Sequence, residues 1–295
     1  MNFQSSSAGK VSIILPAKNE AAAIGPTLAG IRQILPSAEL IVVDDGSTDA
    51  TAEVAKQAGA IVISHPYSKG NGSAIKSGAR AATGDTLVFL DADGQHDPAD
   101  IPRLLSRLDK GYDMVVGARQ AGSQASLGRG LANRLYNRLA SYMTGHAIQD
   151  LTSGFRAVRA EKFREFLYLL PNGFSYPTTI TMAFFRAGYS VVYEPIHAAR
   201  RIGKSHIRLL RDGLRFLLII FKIGTLYSPL KLFLPLSVLL FLAGTAWYVR
   251  TYVEQGRFTN MSALFYTGSI TIFLMGLISE QITGLMYKDS SEHRA

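Results

Sequence analysis

Residues 39–49 read ELIVVDDGSTD, an apolar run that ends abruptly in three aspartates, a glycine and two hydroxyl residues. A short strand that is continuously apolar has both faces covered, as in a parallel sheet flanked by helices. The pattern repeats outward from this stretch. VSIIL (11–15), AIVIS (60–64), DTLVFLD (85–91) and DMVVG (113–117) alternate with segments of helical composition. Alternation of this kind predicts an α/β fold with a doubly wound, Rossmann-like, mostly parallel sheet. Ligands of such sheets bind outside the carboxyl ends of the strands. Those ends read PAKNE, DDGSTD, SHPYSKGNG, DADGQHD and GARQ, so polar and acidic side chains gather on one edge. Beyond residue 120 the pattern predicts a helix from Leu127 to Thr144, a loop at Gln149 to Gly154 and a further strand at Ser190 to Glu194.

The chain has 295 residues, a formal charge of +9 and no cysteine. Disulfides, thiol catalysis and thiolate metal sites are therefore excluded. The basic excess suits a phosphate-rich partner, and its location decides which kind. Arg200, Arg201, Lys204, Arg208, Arg211, Arg215, Lys222 and Lys231 are opposed only by Asp212. This belt carries LRFLLIIFKIGTLY (214–227), which is suited to lie among anionic headgroups. Two uncharged runs follow, Leu232 to Val249 and Phe258 to Ser279, each long enough to cross a hydrocarbon core of about 30 Å. The loop between them holds Arg250, Arg257 and Glu254, far less basic than the belt, so the large domain and the C-terminus are expected in the cytoplasm. The polar start, MNFQSSSAGK, has no signal-peptide core, which agrees with that orientation. Clustering of the cations beside the spans points to lipid phosphates and away from nucleic acid.

Asp91 and Asp93 lie one residue apart just past a strand, a spacing that lets two carboxylates reach one hard cation. Mg²⁺ or Mn²⁺ takes such oxygen ligands and commonly bridges to substrate phosphates. Asp97, before Pro98, is expected to cap a helix, and Asp49 the helix after the second strand. Asp44 and Asp45 on the same edge can accept hydrogen bonds from a nucleobase or ribose. Lys69, in SKGNG, can meet an anion where a helix begins. GKS at 203–205 is not a phosphate loop, because Ala198 stands where that motif needs glycine, and no G-x-G-x-x-G follows the first strand. Histidines 65, 96, 146, 197 and 206 lack metal-ligand spacing and are read as polar surface or structural residues.

SIILPAKNE, IVVDDGSTD, KGNGSAIKSG, FLDADGQHDP, GAR and DLTSGFRA, in this order, resemble the family 2 glycosyltransferases of GT-A fold. Closest is the branch of dolichyl-phosphate mannose synthases and polyprenyl-phosphate glycosyltransferases. The resemblance runs from about residue 11 to 210 and extends to the membrane hairpin. It implies a GT-A catalytic domain over 1–206, an amphipathic interface region over 207–228, and two transmembrane helices within 229–295, near 230–250 and 260–284. It also implies inverting transfer of a sugar from a UDP- or GDP-sugar to a polyprenyl phosphate at the cytoplasmic face. On matching positions, Asp91, Asp93 and Gln95 resemble the family's metal site. Pro16, Asn19, Glu20, Asp44, Asp45, Lys69 and Asp91 resemble its nucleotide contacts. Arg119, with Arg129 or Arg134 on the next helix, and Ser153 resemble its acceptor-phosphate clamp. Asp150, in the active-site loop, joins Asp93 and Arg119 as a candidate catalytic residue. Arg200, Lys204 and Ser205 resemble an R-x-x-G-x-S element near the diphosphate, although His206 follows the serine where lysine is common.

The chemistry is coherent from the residues themselves. An acceptor phosphate has a second pKa of about 6, so at neutral pH it is already a dianionic nucleophile and needs no strong base. What remains is leaving-group departure and the meeting of two anions, which a metal on the diphosphate and arginines on the acceptor address. A hydroxyl acceptor, as in glycolipid or polysaccharide synthesis, would need a base, and Asp150 is the candidate. Polymer synthases of this superfamily carry Q-x-x-R-W, absent here, where Ala246 precedes Trp247. A noncatalytic nucleotide-sugar-binding membrane protein would be expected to lack Asp91 or Asp93. Gly268, Gly276 and Gly284 offer small-residue positions for homo-oligomer packing in the second span, and Glu280 a carboxylate near its end.

Overall fold

The computed structural model describes residues 9–120, 127–173, 175–197, 221, 224, 225 and 227–292. The chain divides into two compact units, Met1–Ile207 and Arg208–Ala295.

The first unit is built on seven strands: β1 (Val11–Ala17), β2 (Glu39–Asp44), β3 (Ile61–Ser64), β4 (Thr86–Phe89), β5 (Met114–Arg119), β6 (Arg156–Arg159) and β7 (Val191–Ile196). They lie in the order β3-β2-β1-β4-β6-β5-β7. All pairings are parallel except those of β6, which runs antiparallel to β4 and β5. β1 pairs with β2 from Ser12↔Glu39 to Ala17↔Asp44, and with β4 from Val11↔Thr86 to Ile14↔Phe89. The chain winds outward from β1 to β3 and then returns to β4 on the other side of β1. This reversal opens a crevice at the carboxyl ends of β1 and β4, where the PAKNE and DADGQHD stretches begin.

Helices cover both faces: α1 (Ala21–Ile34), α2 (Thr51–Gln57), α3 (Asn71–Ala81), α4 (Ile101–Asp109), α5 (Leu127–Thr144), α6 (Ala160–Arg164) and α7 (Tyr176–Arg186). On one face Ile13, Leu15, Val42 and Val88 pack with Ile24, Leu28 and Ile31 of α1 and Ile101, Leu104 and Leu108 of α4, all fully or nearly fully buried. On the other face α3 approaches β1 so closely that a Cβ on Gly78 would lie 2.4 Å from Ile14 Cγ2. Asp97 accepts from the Ala99 amide at 2.9 Å and opens the short 3₁₀ turn Pro98–Asp100, as its place before proline implies. Strand β6 was not expected. Its sequence, RAVR, places arginine at each end and shows neither alternation nor an apolar run, yet it fills the central slot between β4 and β5.

In the second unit, α8 (Pro229–Gln255) and α9 (Asn260–Glu292) form a hairpin. Segments Pro229–Gln255 and Asn260–Met286 are long and apolar enough to cross a membrane. Small and polar residues face inward: Ser237 Oγ donates to Ser269 O at 2.9 Å and Ser269 Oγ returns to Ser237 O at 2.8 Å. A Cβ on Gly244 would lie 2.8 Å from Phe265 Cβ, and one on Gly276 2.8 Å from Phe233 Cβ. Leu239, Val253, Leu264 and Leu285 point outward and are exposed. A hairpin with its polar atoms inside and its large apolar side chains outside is built for hydrocarbon surroundings. Glu280 accepts from the Leu230 amide at 3.2 Å and the Ser228 hydroxyl at 3.4 Å, capping the start of α8 from the neighbouring helix.

Candidate active site

The loop after β2 is fastened on both sides. Asn19, at φ 56° in the left-handed region, accepts from the Thr48 amide at 2.8 Å, and its own amide donates to Ser47 Oγ at 2.9 Å. Glu20 donates its amide to Thr51 Oγ1 at 2.9 Å, and Asp49 accepts from the Thr51 amide at 3.0 Å and the Ala21 amide at 3.2 Å. The crevice wall at β1 and β2 is thus cross-linked by the residues that the sequence nominates for nucleotide contact. Pro16, half-buried at the end of β1, pairs in register with Val43.

Asp44 and Asp45 are both buried but differ in what they hold. Asp44 Oδ1 accepts from the Ser47 amide at 3.0 Å. Asp45 serves four donors on the segment between β3 and α3: His65 Nδ1 at 2.7 Å, Ser68 Oγ at 2.7 Å, the Lys69 amide at 2.8 Å and the Gly70 amide at 2.9 Å. Burial pushes its carboxyl up, but the His65, Ser68 and backbone hydrogen bonds outweigh that and hold it down to about 2. His65 Nε2 lies 2.9 Å from the half-buried Ser77 Oγ on α3, so an Asp45–His65–Ser77 chain ties the end of β2 to α3. Asp45, nominated by the sequence for nucleotide contact, thus shapes the Ser68–Gly70 loop through its own carboxylate. Gly46 (φ +68°) permits this, because a Cβ there would fall 2.8 Å from the Ser68 amide nitrogen. Lys69 itself is exposed, its Nζ 5.8 Å from the centroid of the Tyr67 ring.

Past β4, Asp91 and Asp93 are partly exposed at the mouth of the crevice. Asp93 Oδ1 accepts from the Gln95 amide at 3.1 Å, a turn made possible by Gly94 at φ +71°. Asp91 Oδ2 lies 3.4 Å from His96 Nε2, and His96 is buried with its ring 5.2 Å from that of Phe155. Burial pushes Asp91 up, yet the His96 side chain and the Arg119 and Arg156 cations hold it below its ordinary range. Gly154 closes over it, since a Cβ there would lie 2.9 Å from Asp91 Oδ2. No group of three or more His, Asp or Glu able to hold a metal occurs among the described residues. Two adjacent carboxylates with a nearby amide oxygen fit a cation that takes its remaining ligands from water and a diphosphate, as Mg²⁺ and Mn²⁺ do.

Arg119, at the end of β5, grips Asp150 with two hydrogen bonds, Nε to Oδ2 at 2.7 Å and Nη2 to Oδ1 at 2.9 Å, and Nη2 also reaches Thr152 Oγ1 at 2.6 Å. Burial raises Asp150, but the Arg119 hydrogen bonds and charge outweigh it and keep the carboxyl below its ordinary range. Asp150 is therefore an anchor for Arg119. Ser153 is buried, its Oγ without a hydrogen-bond partner among the described residues. Arg156 is fully buried beneath this loop, donating to Pro177 O at 3.1 Å, Thr181 Oγ1 at 3.2 Å and Ser153 O, with its guanidinium 5.7 Å from the Tyr176 ring.

Of the other sequence-nominated residues, Arg134 is exposed on α5, and the side chain of Arg129 lies outside the described residues. Arg200, Lys204, Ser205 and His206 also lie outside them. Sequence reasoning read His65 and His96 as polar surface or structural residues and did not single out Ser77; the two histidines are buried at the site and Ser77 is half-buried. The signal for His65 was its position at the first residue after a strand on the binding edge; nothing in its neighbours marked the partner 20 residues earlier.

The family profile "Glycosyl transferase family 2" matches residues 12–167, and that of the "GtrB C-terminal hairpin" residues 228–285. An undecaprenyl-phosphate 4-deoxy-4-formamido-L-arabinose transferase of Photorhabdus laumondii is 32% identical over 306 residues, covering 95% of this chain and 90% of the relative. One of Pectobacterium carotovorum is 33% identical over 305 residues, covering 95% and 89%. Among solved structures, glucosyl-3-phosphoglycerate synthase of Mycobacterium tuberculosis with Mn²⁺, UDP-glucose and phosphoglyceric acid superposes with a TM-score of 0.57 at 26% identity, over 72% of this chain and 79% of that one. The same enzyme with Mg²⁺ and UDP gives 0.59 at 25% identity, over 73% and 78%. The mostly parallel sheet is the GT-A fold that the motifs implied, and the chain belongs to glycosyltransferase family 2.

Proposed function

We propose that this glycosyltransferase moves a sugar from a nucleotide diphosphate sugar to a polyprenyl phosphate, with inversion, at the cytoplasmic face of a membrane. The observation that carries the acceptor assignment is the Arg119–Asp150 pair. A hydroxyl acceptor must lose its proton, and a carboxylate held by two guanidinium hydrogen bonds is a poor base. A phosphate dianion brings its own nucleophilic oxygen and needs only a cation to hold it. Arg119 Nη1 has no hydrogen-bond partner among the described residues and is available to a phosphate oxygen while Nε and Nη2 stay fixed by Asp150 and Thr152. Ser153 Oγ, buried and without a partner among the described residues, is a further donor on the loop that carries Asp150. The names of the relatives, which specify undecaprenyl phosphate, support the same class of acceptor.

On the donor side, Asp44 and the Asn19–Thr48 clamp form the wall for the nucleoside. Asp91 and Asp93, with Gln95 beside them, would hold a divalent cation, as the Mn²⁺ and Mg²⁺ complexes of the structural relative support. That cation would supply charge neutralisation to the departing nucleoside diphosphate. The residues of this chain then divide the work: the β4 edge binds the leaving group, and the β5 edge orients the nucleophile for attack on the opposite face of the anomeric carbon. The basic belt before α8 and the sparse charge between α8 and α9 support a cytoplasmic active site.

The test is incubation of the purified chain with polyprenyl phosphate and a panel of UDP- and GDP-sugars, with and without Mn²⁺ or Mg²⁺. Lipid-linked sugar is expected from one donor, dependent on metal and lost in Asp93→Asn. Release of nucleotide with no lipid product would refute the acceptor assignment.

A further inference from the structure

Helix α5 has two unlike faces. Tyr136, Ala140 and Met143 are buried against the domain, with the Tyr136 hydroxyl 3.0 Å from Thr178 Oγ1. On the other side Leu135 and Tyr142 are 63% and 60% exposed, two turns apart on one face, with Arg138 exposed between them and Arg134 alongside. No acid occurs anywhere from Leu127 to Thr144, while Arg129, Arg134 and Arg138 do. Arg134 and Arg138 make no ion pair or hydrogen bond with the described residues. A helix that faces only water usually mixes both signs of charge on its outer surface. This one presents leucine, tyrosine and uncompensated arginine, the composition of helices that rest in a headgroup layer.

The flank of the same helix reaches the active site. Asn137 donates through Nδ2 to Gln149 O at 2.6 Å and accepts the Leu151 amide on Oδ1 at 3.1 Å, so it holds the backbone on both sides of Asp150. Asp150 in turn fixes Arg119. We propose that the outer face of α5, formed by Leu135, Arg138 and Tyr142, rests on an anionic lipid surface. This contact sets, through Asn137, the height of the Asp150–Arg119 pair above that surface. The proposal deepens the acceptor reading and rests on it for its purpose, since a phosphate carried by a lipid lies at a fixed depth. Charge selects the occupant. Two copies joined through this face about a two-fold axis would oppose arginine to arginine, whereas anionic headgroups complement them.

The test uses the full chain in nanodiscs. Trp247 is the only tryptophan, so Trp247→Phe with Tyr142→Trp places a single reporter on α5, and Trp247→Phe with Ile61→Trp places a control on the edge strand β3, where Ile61 is 52% exposed. Brominated anionic lipid is expected to quench the Tyr142→Trp reporter and to leave the Ile61→Trp control bright. In parallel, Leu135→Ser/Arg138→Gln/Tyr142→Ser should raise KM for a long-chain polyprenyl phosphate about tenfold, as loss of one headgroup-bound cation and two interfacial anchors implies. KM for the donor and turnover of a short, water-soluble prenyl phosphate should stay as in the wild type. An unquenched Tyr142→Trp reporter overturns the proposal, as does cross-linking of Tyr142→Cys between two chains in preference to quenching. If the wild type makes no lipid-linked sugar, the acceptor reading fails alone, because the quenching still decides whether α5 meets lipid.

Discussion

Asp45 and Asp150 look alike in the sequence, acids on the binding edge, and both have become anchors. Asp45 titrates near 2 in the folded chain against 3.8 ordinarily, a difference that stabilises the fold by about 2 kcal/mol. Because the folded value is depressed, that contribution is complete above about pH 4 and is lost as the pH falls toward 2. Asp45→Asn should therefore lower the melting temperature at pH 7 in detergent, with the gap to the wild type closing below pH 4; a constant gap down to pH 2 would show that the carboxylate charge is not its origin. The same variant should raise KM for the donor more than it lowers kcat, because it frees the Ser68–Gly70 loop. For Asp150, breaking the pair leaves Arg119 without its orienting partner, and Asp150→Asn should reduce kcat about a hundredfold. Asp150 is held below its ordinary range, so it stays ionised throughout the neutral region. With the proposed phosphate acceptor, any loss of rate as the pH drops through about 6 belongs to protonation of that phosphate. Residual activity of Asp150→Asn should keep that limb at the same pH. A limb that moves or vanishes would make Asp150 a titrating base after all.

Two glycines in the hairpin separate a packing role from a position with open space beside it. Gly276 meets Phe233 across the helix pair, whereas a Cβ on Gly268 would have nothing within 4 Å. Of the three glycines considered for contacts between chains, Gly276 is therefore spent inside the hairpin. Gly276→Leu should destabilise the α8–α9 pair by several kcal/mol and expose it to protease in detergent, while Gly268→Leu should be tolerated. Equal sensitivity at both positions would mean that Gly268 packs against something beyond this chain. In the catalytic unit, Gly72→Ala would put a Cβ 1.9 Å from Pro171 O, forcing the start of α3 away from the 171–173 loop. A loss of roughly 1–3 kcal/mol in thermal or denaturant unfolding is expected, with donor affinity falling alongside because Lys69 and Gly70 immediately precede this helix.

Across the whole chain, the parallel strands, the order of catalytic motifs and the two apolar spans were legible because each is a property of one contiguous segment. Periodicity and apolar content tell whether a segment is covered on one face, on both, or surrounded by lipid, and length tells what it can cross. Asp97 before Pro98 could be read as a cap for the same reason, its partner being two residues away. Strand β6 was hidden because RAVR owes its place to the slot between β4 and β5, and its arginines donate to distant partners such as Pro177 O, Thr181 Oγ1 and Leu108 O. The sequence by itself determined the fold class, the acidic edge of the sheet and the two long apolar helices of the C-terminal hairpin. Only the tertiary structure decided that Asp45 closes on His65 and the Ser68–Gly70 loop, that Asp150 belongs to Arg119, and that α5 turns arginine and tyrosine outward while Asn137 grips the active-site loop. Those pairings join residues far apart along the chain. Local pattern fixes what each segment must bury, but a hydrogen-bonding group acquires its partner only once the segments have packed.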